Sequence, residues 1–98
     1  FCVAANAGWR AARGEIVELL NNDAEVSKGW AIPSLESFSD RRTAAVAPLV
    51  RRLPFRNRID SAGDQIDFVG IARKRWEGAS IGQSEPIPHE VFSASASS

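Results

Sequence analysis

Residues 61–76 read SAGDQIDFVGIARKRW, and the fold class turns on whether this stretch is a helix or a strand. Ala62, Ile66, Phe68, Val69, Ala72 and Trp76 cover roughly half of a helical wheel, which predicts a helix over 61–76. The rival reading is a strand at 65–72, drawn from Ile66, Phe68, Val69 and Ile71. Gly70 supports it, because glycine weakens a helix interior. Asp60, Asp64 and Asp67 fall at helical spacing in the first turns. There they complement the positive end of a helix, with Ser61 or Asp64 as its cap. The same three carboxylates are a conceivable hard-cation set, but they lack the dense run of oxygen ligands that a calcium loop carries, and capping is the expectation.

Upstream, Trp9, Ala12, Ile16, Leu19 and Leu20 recur at helical spacing with Glu15 and Glu18 opposite, predicting an amphipathic helix over 7–21. Asn6 is its candidate cap, and the Asn21-Asn22-Asp23 run supplies residue types that stop helices. Gly14 weakens it by about 1 kcal/mol relative to alanine. Residues 22–39 read as a connection, with Trp30 and Ile32 pinned against helices and Pro33 forbidding a regular ladder. A further helix is expected over 40–53, with Val46, Leu49, Val50 and Leu53 as its stripe and a kink at Pro48. Together these predict a small three-helix, all-α domain over 1–76, with α+β as the alternative if 65–72 is a strand. Trp9, Trp30 and Trp76 fall on three different segments and are expected at the junction of the core.

Beyond residue 76 the chain has no lysine or arginine, and Pro86 and Pro88 favour an extended path. Residues 77–98 therefore read as a tail, with Ile87, Val91 and Phe92 as apolar anchors along the domain or a neighbour.

Twelve basic and twelve acidic residues cancel, yet they are unevenly distributed. Residues 15–40 carry Glu15, Glu18, Asp23, Glu25, Glu36 and Asp40 against Lys28 alone. Residues 41–58 then carry Arg41, Arg42, Arg51, Arg52, Arg56 and Arg58 with no acid between them. Guanidinium groups form forked pairs with carboxylates or phosphates, so this block suits acidic protein surfaces, nucleic acid or anionic head groups. Its plainest role is to neutralise the acidic first third of the same chain. Nucleic-acid binding is the weaker option, because net charge is zero and only Phe55 is interleaved with the block.

No catalytic, cofactor-binding or metal site is assigned. A single cysteine, Cys2, and a single histidine, His89, leave too few ligands for a closed zinc site, and no serine stands in a nucleophile-elbow sequence. No apolar run is long enough to span a bilayer, which leaves peripheral membrane association through a partner. An initiator methionine is ordinarily retained before phenylalanine, so Phe1 reads as a processed start, either of an exported or organellar product or at a fragment boundary; Ala5-Asn6-Ala7 has the small-x-small form of a signal-peptidase site.

The functional expectation is a non-enzymatic accessory subunit of a larger assembly, with other protein subunits as partners. It docks on their acidic surface through Arg41, Arg42, Arg51, Arg52, Arg56 and Arg58, with Trp30, Ile87, Val91 and Phe92 as apolar contacts. The alternative is a small nucleic-acid-binding domain that uses the 41–58 arginine block.

Overall fold

The computed structural model describes residues 2–82 and 88–94. Its elements in chain order are α1 (Cys2–Ala11), α2 (Ala31–Ser37), β1 (Val50–Arg51), β2 (Ile59–Ser61), β3 (Asp64–Ile66) and β4 (Ala72–Lys74). The protein is therefore α+β, with two short helices and two small antiparallel sheets, and the three-helix expectation is overturned.

Each displaced helix has a local cause. The one expected over 7–21 stops at Ala11, where the Ala12 amide donates to the carbonyls of both Gly8 and Trp9. Arg13-Gly14 and the β-branched pair Ile16-Val17 follow, and both glycine and β-branched residues disfavour helix. Residues 17–20 instead run without regular structure, with Ile16, Leu19 and Leu20 exposed. The helix expected over 40–53 is absent. Residues 43–49 are irregular and lead into β1, consistent with Thr43, Val46 and Val50 resisting helical χ1 and Pro48 removing a donor.

A helix does form inside the expected connection. In α2, Pro33 occupies the first turn, where its missing N–H has no intrahelical acceptor to lose. The Ser37 hydroxyl donates to the Pro33 carbonyl at 2.9 Å.

Residues 61–76 fold as a hairpin. β3 pairs with β4 in the register Asp64 to Lys74, Gln65 to Arg73 and Ile66 to Ala72. Asp67 writes the turn: its Oδ1 accepts the amides of Val69 and Ile71 at 3.0 and 2.9 Å, and its carbonyl accepts the Gly70 amide. Gly70 has φ +86, the left-handed conformation that glycine adopts without a steric penalty. The α+β alternative is therefore the right class, but its single strand at 65–72 is broken by this turn. The acids expected to cap a helix at 60–67 serve other ends.

The spine of the ordered body is the segment 57–63. On one side the Arg52 amide donates to the Arg58 carbonyl, and β1 pairs with β2. On the other, Ile59 exchanges hydrogen bonds with Ala79 and Gly78, Ile81 donates to Asn57, and Arg75 exchanges with Ala62 and Gly63. Ile59 is consequently buried, at 1% exposure, and is the fully buried apolar side chain among the described residues. Ser61 and Gly63, two and four residues on, are buried as well, in keeping with a strand that alternates its faces. The tryptophans do not form a core: Trp9 is 63% exposed, and Trp30 and Trp76 are also at the surface.

Part of the tail lies on the same body. The Asp64 amide donates to the Ser93 carbonyl and the Phe92 amide to the Asp64 carbonyl, which puts 92–93 along the edge of β3 away from β4. The Ser93 hydroxyl donates to Asp64 Oδ2 at 2.8 Å. Ile87 lies outside the described residues. Replacing Ser93 with alanine is expected to cost about 1 kcal/mol, the net worth of one such bond, and to speed amide exchange at Phe92. Exchange at Phe92 unchanged from the parent chain would show that the hydroxyl does not hold the strap.

Candidate functional site: an arginine-lined groove

Sequence places Arg52 and Arg58 six residues apart; each lies one residue beyond the paired ends of β1 and β2, where the Arg52 amide donates to the Arg58 carbonyl at 2.9 Å. Between them the chain reverses through Leu53-Pro54-Phe55-Arg56-Asn57. The Arg56 amide donates to the Pro54 carbonyl, and the Arg58 amide to the Phe55 carbonyl. These short-range bonds hold Phe55 at the surface, 64% exposed, where it cannot join the body. Arg52, Phe55, Asn57, Arg58 and Gly78 line an open groove of about 490 Å3.

The two guanidinium groups are held differently. Arg52 donates through Nε and Nη2 to Asp60 Oδ1 at 3.3 and 3.2 Å, and through Nη2 to Glu77 at 3.2 Å. Arg58 donates through Nη1 to the neutral Gly78 carbonyl at 2.8 Å. Asp60 is the centre of a small network, since its other oxygen accepts Lys74 Nζ at 2.6 Å. The Lys74 hydrogen bond holds the Asp60 carboxyl below the ordinary aspartate range; burial opposes it, and the Arg52 hydrogen bond adds a smaller lowering.

A depressed folded-state pKa favours folding above the unfolded aspartate value of about 3.9, and that contribution fades as pH falls through the lower folded value. Denaturation followed from pH 6 to pH 2 should therefore show an acid-side loss of stability that Asp60→Asn reduces. The difference is expected to be about 1 kcal/mol or less, because Arg52 and Lys74 are both partly exposed to solvent. Identical pH profiles for the two chains would remove Asp60 from this role.

The other expected site residues scatter. Arg56 pairs with Glu25 at 2.6 Å and Arg42 with Asp40 at 2.9 Å, so among the described residues these two arginines of the block pair with the acids of 15–40. Arg41 and Arg51 make no ion pair among the described residues. Trp30 precedes α2 and is far from fully buried. Val91 lies against Gly63, while Phe92 is exposed. Asp64 and Asp67 are engaged by Ser93 and by loop amides with Arg73, and no set of three or more metal-ligating side chains gathers among the described residues. No helix among them is long and apolar enough to cross a membrane.

Asn57 and Gly78 belong to the groove, and Gly78 carries no signal for it in sequence. Pro54 and Asn57, both turn formers, were the available hint that Arg52 and Arg58 face each other.

The chain is also similar in sequence to known proteins. The chain is 38% identical over 52 residues to a probable polypeptide N-acetylgalactosaminyltransferase 8 of Homo sapiens, a match covering 53% of this chain and 8% of that protein. It is 41% identical over 44 residues to a probable N-acetylgalactosaminyltransferase 9 of Caenorhabditis elegans, covering 45% of this chain and 8% of that protein. The chain thus spans about 8% of the length of the curated relatives it matches. No family model matches the chain, and no solved structure matches it.

Proposed function

We propose that this chain is a segment of a glycosyltransferase and contributes surface to the place where an activated sugar is handled. The observation that carries the reading is the likeness to two N-acetylgalactosaminyltransferases from two animals, at 38% and 41% identity over about half of the chain. In such a reaction an acceptor hydroxyl forms a new bond to the anomeric carbon. The hydroxyl gives up its proton, and the bond to the leaving group breaks with the electron pair departing on that group. The chemistry calls for carboxylates that hold sugar hydroxyls or take the proton, and for donors that stabilise the departing charge.

Two exposed carboxylates fit the first requirement. Asp23 and Glu25 follow the segment 16–20, in which Ile16, Val17, Leu19 and Leu20 flank Glu18, and the Ala24 amide closes the turn onto the Asn21 carbonyl. Asp23 makes no ion pair among the described residues, and Glu25 pairs only with the exposed Arg56. The surroundings also suit a segment of a larger fold. Ile16, Leu19, Leu20, Val26, Ile32 and Leu35 are all exposed, far more apolar surface than an independent domain leaves uncovered.

The test is transfer itself. The product of the gene, incubated with activated N-acetylgalactosamine and a polypeptide acceptor, is expected to raise the acceptor's mass by one N-acetylhexosamine. Asp23→Asn should lower the rate by about 100-fold or more if the carboxylate acts on the reacting groups. No mass change with any acceptor or activated sugar would remove the transferase reading.

A non-enzymatic role in a protein assembly is the second reading, favoured by the same exposed apolar side chains together with Trp9 and Phe68. It predicts stable copurification with another subunit and no sugar transfer.

A further inference from the structure

We propose that the groove lined by Arg52, Phe55, Asn57, Arg58 and Gly78 binds a small oxyanion, phosphate or carboxylate, borne on an apolar or aromatic group. This inference stands independently of the transferase reading, which concerns the surface around Asp23.

The groove contains two like charges and no acid among its lining residues. Arg52 and Arg58 are joined by a backbone hydrogen bond just past the β1–β2 ladder, and like charges facing each other across such a pair are destabilising. Asp60 and Glu77 offset the charge on Arg52 from outside the groove. For Arg58 the recorded partner is a neutral carbonyl, which fixes the guanidinium in place and leaves its charge uncompensated among the described residues.

Donors remain on both groups. Arg52 Nη1, and Arg58 Nε and Nη2, make no hydrogen bond within the described residues. An oxyanion between them accepts charge-assisted bonds from both sides and removes the repulsion. Phe55 supplies the second half of the specificity. Its ring is held at the surface of the same groove by the turn around it, and an exposed ring beside two guanidinium groups is a stacking face for an apolar or aromatic moiety. Asn57 adds an amide with both donor and acceptor capacity. An anion without an apolar part uses only the arginines, and a neutral ring uses only Phe55. The favoured ligand uses both.

The experiment titrates isotopically labelled chain with phenyl phosphate, benzoate, inorganic phosphate and benzyl alcohol at low ionic strength, reading backbone amide and arginine Nε resonances. Saturable shifts at Asn57, Arg58 and Gly78 are expected with phenyl phosphate or benzoate, and the tighter of the two identifies the oxyanion. Inorganic phosphate should bind at least about threefold more weakly than phenyl phosphate, for want of the ring contact. Arg58→Gln should weaken binding by about tenfold or more, the scale of one charge-assisted hydrogen bond. Phe55→Ala, at an exposed position that leaves folding intact, should weaken phenyl phosphate several-fold and inorganic phosphate not at all. Arg41→Gln, outside the groove, should leave affinity unchanged. Absence of saturable shifts with every oxyanion overturns the proposal. So does benzyl alcohol matching phenyl phosphate, or Arg41→Gln weakening binding as much as Arg58→Gln.

Discussion

Replacing Ile59 with alanine is expected to lower the stability of the chain by about 2–4 kcal/mol, the range for truncating a fully buried isoleucine. Ile59 is 1% exposed, and its backbone is tied to Gly78 and Ala79 while the neighbouring Arg58 carbonyl holds Arg52. Small domains have only about 5–15 kcal/mol of stability, so this loss is a large fraction of the total. Urea denaturation followed by far-ultraviolet circular dichroism measures the change, with Ile66→Ala as the comparison, because Ile66 lies at an exposed position on β3. A midpoint for Ile59→Ala equal to that of Ile66→Ala would show that 57–63 is not the spine of the fold.

Replacing Gly63 with valine is expected to cost about 2–3 kcal/mol and to detach the tail strap, because backbone strain of about 1–3 kcal/mol at a left-handed position adds to a steric conflict. Gly63 has φ +78, where a β-branched residue is strongly disfavoured, and a Cβ there meets both methyl groups of Val91 at 3.1 Å. Gly63→Ala carries the same backbone penalty with a smaller side chain and should fall between valine and the parent. Amide exchange separates the two effects: Asp64 and Phe92 should lose protection in both variants, more so in valine. Unchanged protection at Phe92 in Gly63→Val would mean that Val91 does not rest on Gly63.

Gly63 falls in the region where sequence patterning was least decisive, and Ile59 lies just before it. Ile66, Val69, Ala72 and Trp76 satisfy a helical period, and the same spacing is compatible with two short strands joined by a turn. The deciding residues were Asp67 and Gly70. A side chain that accepts two amides of its own loop, followed by a glycine at φ +86, specifies a turn, and the turn cancels the helix however well the wheel is filled. At Ile16-Val17 the β-branched pair after Gly14 carried the same kind of local signal against the longer amphipathic pattern. Pro33 misled in the opposite direction, since a proline that excludes a strand ladder is acceptable in the first turn of α2.

The arginine block was legible as a concentration of charge, but the groove was not. Its geometry depends on which residues β1 and β2 place opposite each other, and strand register is set by pairing across the chain. Arg52 and Arg58 meet there, whereas Arg42 and Arg56, equally prominent in sequence, turn to Asp40 and Glu25. The carboxylates at Asp23 and Glu25 stood out only as part of an acidic first third. Asp23 lies on an exposed turn and Glu25 just beyond it.

Fold and function meet in one distribution: a hydrogen-bonded body centred on 57–63, and the segment 16–20 beside Asp23 with no hydrogen-bonded cover of its own among the described residues. Amide hydrogen exchange on the isolated chain, read residue by residue, measures this directly. Protection is expected at Ile59, Ala62, Asp64, Arg75 and Ile81, whose amides are all donated within the body, with exchange at the unprotected rate through Ile16 to Leu20. Strong protection of Ile16 to Leu20 in the monomer, with rapid exchange at Ile59 and Ala62, would contradict it.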